Sequence, residues 1–187
     1  MTEPRRFPPP WSVEEQPSNE PAMKRSRAEL WRTAIHEAGH AVVARVLGLA
    51  SGQATIVPKF DLEEAGHHIN RSPWRTLYDW EKRGLLHRTV RSAVRGRIMA
   101  YMAGAEAEIE FVGACEGGDS DDRDKIEEMA DSSDSYLTPE EWKRYEPRMR
   151  RQTRRLVRRH RAKIERLASA LMDCETLQPE QIDRIIR

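Results

Sequence analysis

The residues best equipped for chemistry lie in the stretch Thr33-Ala34-Ile35-His36-Glu37-Ala38-Gly39-His40-Ala41-Val42-Val43. His36 and His40 are four positions apart. On a helix that spacing puts them on one face with Cβ atoms about 5–6 Å apart, so each can offer an imidazole nitrogen to the same metal ion. Glu37 sits one step around from His36, beside the position such a site leaves open. Three protein ligands and one water form the catalytic zinc arrangement, which lowers the pKa of that water to about 7 and lets a nearby carboxylate take its proton. That is the machinery of peptide hydrolysis. The competing reading is a chance meeting of two histidines and a glutamate on an amphipathic helix. Gly39 weighs against chance: inside a helix it costs about 1 kcal/mol relative to alanine. Beside Ala38 and Ala41 it leaves bare backbone where a metal, a substrate or another helix can come close.

A two-histidine site needs a third ligand from elsewhere. Gly113-Ala114-Cys115-Glu116-Gly117-Gly118-Asp119-Ser120-Asp121-Asp122-Arg123 is glycine-rich, then acidic, and leads into a helical run from Lys125 to Asp131 with Asp119 or Ser120 as its N-cap. Asp122 is a candidate on chemistry alone, along with Asp119, Asp121, Glu106 and Glu108. An acidic cluster at a helix start also has the plainer role of meeting the helix dipole in solvent. His67 and His68 are neighbours in a short β-branched stretch, and neighbours on a strand point to opposite faces. At most one of them could face a metal, and both read as surface or substrate-side residues. His160 reads as a packed helix histidine.

The elements that must position these groups follow from periodicity and capping. Ser26-Arg27-Ala28-Glu29 is a capping box that starts a helix ending near Gly48, with Ala34, Ile35, Ala38, Val42, Val46 and Leu47 on or near its buried side. Ala54 to Val57 and Gly66 to Ile69 predict a small hairpin or two edge strands. From Trp74 to Val112 the pattern is mostly helical, with Gly84 as a break and Leu86, Val90, Val94, Ile98, Met102 and Ala105 as core. Thr138-Pro139-Glu140-Glu141 opens another helix, which Pro147 should kink or restart. Arg148 to Arg166 is densely basic, yet Leu156, Val157, Ile164, Leu167, Ala168 and Leu171 form an apolar stripe through it. Without interleaved aromatics it reads as a solvated helix face rather than a duplex reader. A short terminal helix begins in Leu177 to Ile182.

The 187 residues are 38% hydrophobic and 34% charged with a net charge of +1, which suits one domain with a modest core and gives no global field aimed at nucleic acid. Residues 1–23, with Pro8, Pro9, Pro10, Pro17 and Pro21 among charges, read as a disordered arm whose one candidate anchor is Trp11. Cys115 and Cys174 are isolated, no secretory segment is evident, and the longest apolar run is about half the ~20 residues a membrane span needs. These features point to a reduced, cytoplasmic protein without a transmembrane anchor.

With these residues in view, the chain resembles the zinc peptidase domain of the FtsH-type AAA proteases. His36-Glu37-Ala38-Gly39-His40-Ala41 matches that family's signature, and Thr55-Ile56-Val57-Pro58 is similar to its following short strand. Ala103-Gly104-Ala105-Glu106-Ala107-Glu108 is similar to a Gly-Arg-Ala-Ala-Glu-Glu segment, with Ala105 where the family has arginine. Gly118-Asp119-Ser120-Asp121-Asp122 falls where the family reads Gly-Ala-Ser-Asn-Asp, and Glu175-Thr176-Leu177 resembles its C-terminal Glu-Thr-Leu. The likeness runs from about residue 27 to the end.

The resemblance implies zinc held by His36, His40 and Asp122, with Glu37 as the catalytic base. Glu108 carries two readings, a group that orients a ligand and a plain surface or capping residue. No G-x-x-x-x-G-K-[ST] phosphate loop is present, so the expected activity is hydrolysis of flexible or unfolded polypeptide, served by a separate unfoldase or a homo-oligomer, with no nucleic-acid or membrane partner. Peptide could add as a strand to an edge near Gly66 to Ile69. The alternative is a non-catalytic zinc-binding module that regulates a protease or another partner. The expected architecture is mainly α, a compact helical domain over residues 24–187 with a small β-hairpin or two short strands.

Overall fold

The computed structural model describes residues 25–49, 51–58, 67–70, 87–131 and 138–187, of which 67–70 and 87–91 are described by backbone alone. The arm of residues 1–23 and the expected helical stretch from Trp74 to Leu86 lie outside them. The elements are α1 (Arg27–Val46), β1 (Ser51–Thr55), β2 (His67–Asn70), α2 (His87–Val112), α3 (Ser120–Asp131), α4 (Pro139–Arg159), α5 (Arg161–Cys174), β3 (Thr176–Leu177) and α6 (Pro179–Ile186). The fold is mainly helical, with one small antiparallel sheet.

Helix α1 is the axis of the molecule. Its capping box forms as expected: the Ser26 hydroxyl accepts from the Glu29 amide while Glu29 accepts from the Ser26 amide at 2.6 Å. Its middle, Ala34 to Ala44, is buried on every side, because α2 and α5 pack against it from two directions and the sheet covers a third. Val46, expected inside, is 38% exposed at the fraying end. The crossing of α1 and α2 is close because Gly39 lacks a side chain; a Cβ there would lie 2.6 Å from the Ala103 carbonyl oxygen and 2.8 Å from the Ala107 Cβ. Of the three kinds of visitor that could use that bare backbone, another helix is the one that does.

Two apolar clusters meet along these helices. One joins α1 to Val157, Ile164, Leu167, Leu171, Leu177 and Ile182, and the other joins Val94, Ile98 and Met102 of α2 to Ile126, Met129 and Met149. Val94, Ile98, Met102 and Ala105 are thus core residues, as their spacing predicts.

The sheet has strand order β2-β1-β3. β1 is therefore central rather than an edge, with Thr55 opposite His67 on one side and Thr176 on the other. The two-residue β3 is too short to leave a periodic signal. Glu175 creates it by ending α5 at φ 58° and turning the chain, so that its carbonyl accepts the Ile56 amide at 2.9 Å.

Three boundaries differ from expectation. α3 begins at Ser120, where Asp119 as N-cap puts it but ahead of the helical run expected from Lys125, since the Asp119 carbonyl already accepts the Arg123 amide at 3.0 Å and the acidic first turn suits the positive end of the helix dipole. α4 runs through Pro147 without restarting; the proline is exposed, so the Lys143 carbonyl that loses its donor can turn to water. The basic stretch is two helices, broken at His160, whose backbone N–H reaches the carbonyls of Leu156 and Val157.

Candidate metal centre

The site is built where α1, α2 and the first turn of α3 converge. Nε2 of His36 and Nε2 of His40 are 2.9 Å apart, and Oδ2 of Asp122 lies 3.1 Å from the first and 2.8 Å from the second. Helical spacing brings the histidines together, and the loop from Gly113 to Asp119 brings the carboxylate. His36, Glu37 and His40 are 7%, 5% and 4% exposed.

The other acidic candidates are otherwise engaged. Asp119 accepts from Nε of Arg123 at 2.8 Å, Asp121 is an exposed residue 3.7 Å from Lys125, and Glu106 accepts from Nε of Arg154 at 2.7 Å. Glu108 reaches the site indirectly. Its Oε1 accepts from Nδ1 of His36 at 2.6 Å, which makes it an orienting group and not a surface residue; it is 2% exposed.

These outer contacts decide which nitrogen faces the centre. A carbonyl oxygen only accepts, so the 2.7 Å contact between Nδ1 of His40 and the Ala100 carbonyl puts the proton of a neutral ring on Nδ1. Glu108 does the same for His36. In the neutral rings that a metal requires, both Nε2 lone pairs would face the space beside Asp122 Oδ2, the geometry metal-bound histidines adopt when their second nitrogen donates outward. Ala100, Gly104 and Glu108 share one face of α2, and that face is the wall of the site.

Two observations test whether a metal ion fits. A Cβ on Gly104 would lie 2.5 Å from Nε2 of both histidines, so the space beside the nitrogen pair exists because residue 104 has no side chain. The donor set, two neutral imidazoles and a carboxylate, is also one that divalent ions accept. Among the described residues, the three atoms of His36, His40 and Asp122 form a buried group able to hold a metal ion.

The electrostatics follow from crowding these groups out of water. Burial is the largest influence on His36 and would lower its pKa, but the carboxylates of Asp122 and Glu108 outweigh it and hold the imidazolium up to about 10. Burial pushes Asp122 up, and the two histidines more than reverse this, holding it well below the usual carboxylate range. Glu37 differs. Burial raises it, and the histidines only partly oppose the rise. Its Oε2 is buried and lacks a hydrogen-bond partner among the described residues.

No protein-family model matches this chain, and no curated protein does. The functional reading therefore rests on the geometry. Sequence reasoning passed over Gly104, the Ala100 carbonyl and Arg32, whose guanidinium pairs with Glu116 and lies 4.0 Å from Oε2 of Glu108. The fourfold spacing of residues 100, 104 and 108 was the available signal for the first two. Nothing in the sequence joins Arg32 to Glu116. Cys115, 3.7 Å from Glu108, is not a donor to the site; burial and that carboxylate push its thiol up to about 11. The side chains of His67 and His68 lie outside the described residues.

Proposed function

We propose that this chain is a zinc-dependent metallopeptidase that hydrolyses flexible or unfolded polypeptide. The observation that carries the reading is the convergence of His36 Nε2, His40 Nε2 and Asp122 Oδ2 within 2.8 to 3.1 Å of one another, together with a buried carboxylate oxygen of Glu37 that has no hydrogen-bond partner among the described residues. Zinc suits three such donors, since N and O ligands ~2.0–2.2 Å from a four-coordinate ion need to separate only slightly from these distances. When bound it supplies a Lewis acid that polarises a peptide carbonyl and acidifies water.

The chain's own residues do the rest. His36 and His40 are pre-oriented by Glu108 and Ala100, and Asp122 is delivered by α3. Glu37 would take a proton from the attacking water and pass it to the leaving amine, the role of a carboxylate base beside an open coordination position. Among the described residues β2 pairs with β1 on one side only, and its other edge would offer main-chain groups to an extended peptide, which suits broad sequence tolerance. The G-x-x-x-x-G-K-[ST] phosphate loop does not occur in this sequence, and the activity proposed for the chain needs no ATP. Among the described residues, no helix is long and apolar enough to cross a membrane.

The test is cleavage of an unfolded, quenched fluorescent substrate by the purified chain. Activity that a chelator removes, zinc restores and ATP leaves unchanged supports the reading. Activity indifferent to chelation overturns it.

A further inference from the structure

The total charge of this chain is nearly zero, yet its charges are segregated on two outward helix faces. Between residues 144 and 159 eight arginines stand against one glutamate, and between 119 and 131 seven acids stand against two bases. On α4 the inner face holds Met149, Thr153 and Val157 in the core, and the flanking arginines are matched with acids: Arg150 with Glu146, Arg154 with Glu106, Arg158 with Glu110. Opposite the buried side lie Arg144, Arg148, Arg151, Arg155 and Arg159, all exposed. Steps of four, three, four and four place them within an arc of about 80° along some 22 Å of helix. None of the five forms an ion pair among the described residues. Like charges at this spacing repel one another.

Helix α3 shows the complementary pattern. Ile126, Met129 and Ala130 face the core, while Asp124, Glu127, Glu128 and Asp131 are exposed and fall within an arc of about 100° on the opposite side. The two rows have the same helical repeat and opposite sign, and both point away from the body of the chain that carries them. One chain therefore cannot bring its own rows together, but two copies can.

We propose that α4 of one copy docks through its arginine row on the acidic row of α3 in a second copy, giving a head-to-tail contact. The near-zero net charge favours this occupant over a nucleic acid. Steering of an external polyanion depends on the summed field, which cancels at a distance, and the aromatics of α4, Trp142 and Tyr145, are packed against the core cluster rather than presented for stacking. Guanidinium forks suit the carboxylates of a facing helix, where bidentate pairing is available to each. Because the two surfaces differ, the contact is heterologous and passes from copy to copy. It is independent of the peptidase reading.

Sedimentation velocity of the full chain tests it. At about 0.02 M salt, where the Debye length is roughly 20 Å, the weight-average mass should rise with concentration toward at least twice that of the chain, and at about 0.5 M it should fall back to one chain. The triple variant Arg148→Glu, Arg151→Glu, Arg155→Glu should stay monomeric at low salt while keeping the helical circular dichroism and cooperative thermal melt of wild type, which shows that it has folded. Mixing it with Glu127→Lys, Glu128→Lys, Asp131→Lys should restore association. A control reversing Arg27, Arg166 and Arg184 makes the same change in net charge and should associate as wild type does. A monomeric wild type at every salt, an associating arginine variant, or a control that fails as badly as that variant would each overturn the proposal. So would low-salt binding to a DNA duplex that outcompetes self-association.

Discussion

Glu108 Oε1 accepts a 2.6 Å hydrogen bond from Nδ1 of His36, a residue 72 positions earlier in the chain. The contact fixes both the orientation of the ring and the nitrogen left free. Removing it with Glu108→Ala should weaken zinc binding about 10–100-fold, the usual cost of losing an outer partner of a metal-bound histidine. Glu108→Gln keeps an acceptor at the same reach and should fall between the two. Competition titration against a chromophoric chelator measures this; equal affinities in all three proteins would mean that His36 needs no such support.

Two glycines, one on each helix, separate fold from site. At Gly104 an added Cβ would lie 2.5 Å from Nε2 of both histidines, whose rings are held from behind by Glu108 and Ala100 and have little room to retreat. Gly104→Ala should keep its helical circular dichroism while losing most zinc affinity. At Gly39 the added Cβ meets the Ala103 carbonyl at 2.6 Å, and that backbone yields only if the helices part. Gly39→Ala should destabilise the fold by about 1–3 kcal/mol, as overpacking does, despite alanine's better helix propensity. Thermal melts alongside zinc titrations read both effects. A Gly104→Ala chain that binds zinc normally would contradict the placement of the ion beside α2.

His36, Glu37 and His40 were legible because a helix turns four-residue spacing into proximity. Ser26 and Thr138 were legible because their capping boxes are local. Asp122 was one of five acidic candidates on chemistry and was preferred only through a family resemblance. What separates it from Asp119 and Asp121 is the turn at which α3 begins, set by the Asp119 carbonyl, and that tertiary detail is invisible in composition. β3 was missed because two residues carry no period, and its pairing depends on the left-handed turn at Glu175. Pro147 does not restart α4, because it is exposed and the carbonyl it leaves without a donor can turn to solvent.

The charge state of the site fixes how zinc binding depends on pH. Burial tends to discharge His36, but Asp122 and Glu108 hold it up to about 10, so the metal-free chain keeps a proton there at neutral pH. Zinc must displace that proton. Raising the pH lowers the cost of displacement, so apparent affinity should climb about tenfold per unit between pH 6 and 8, with about one proton released per ion. Calorimetry in buffers of different ionisation enthalpy counts the protons; a flat affinity over that range would show that His36 is already neutral.

Glu37 is proposed as the base beside a zinc held by His36, His40 and Asp122. The measurement is bound zinc together with turnover of an unfolded substrate, made in parallel on wild type and Glu37→Gln. The substitution keeps the size of the side chain and removes its basicity. Glu37→Gln should retain about one zinc per chain and the wild-type melting profile while losing roughly 10²- to 10⁴-fold in turnover, the typical share of a general base. Turnover undiminished in Glu37→Gln, or zinc bound by both proteins with no cleavage by either across unfolded substrates, would contradict the account.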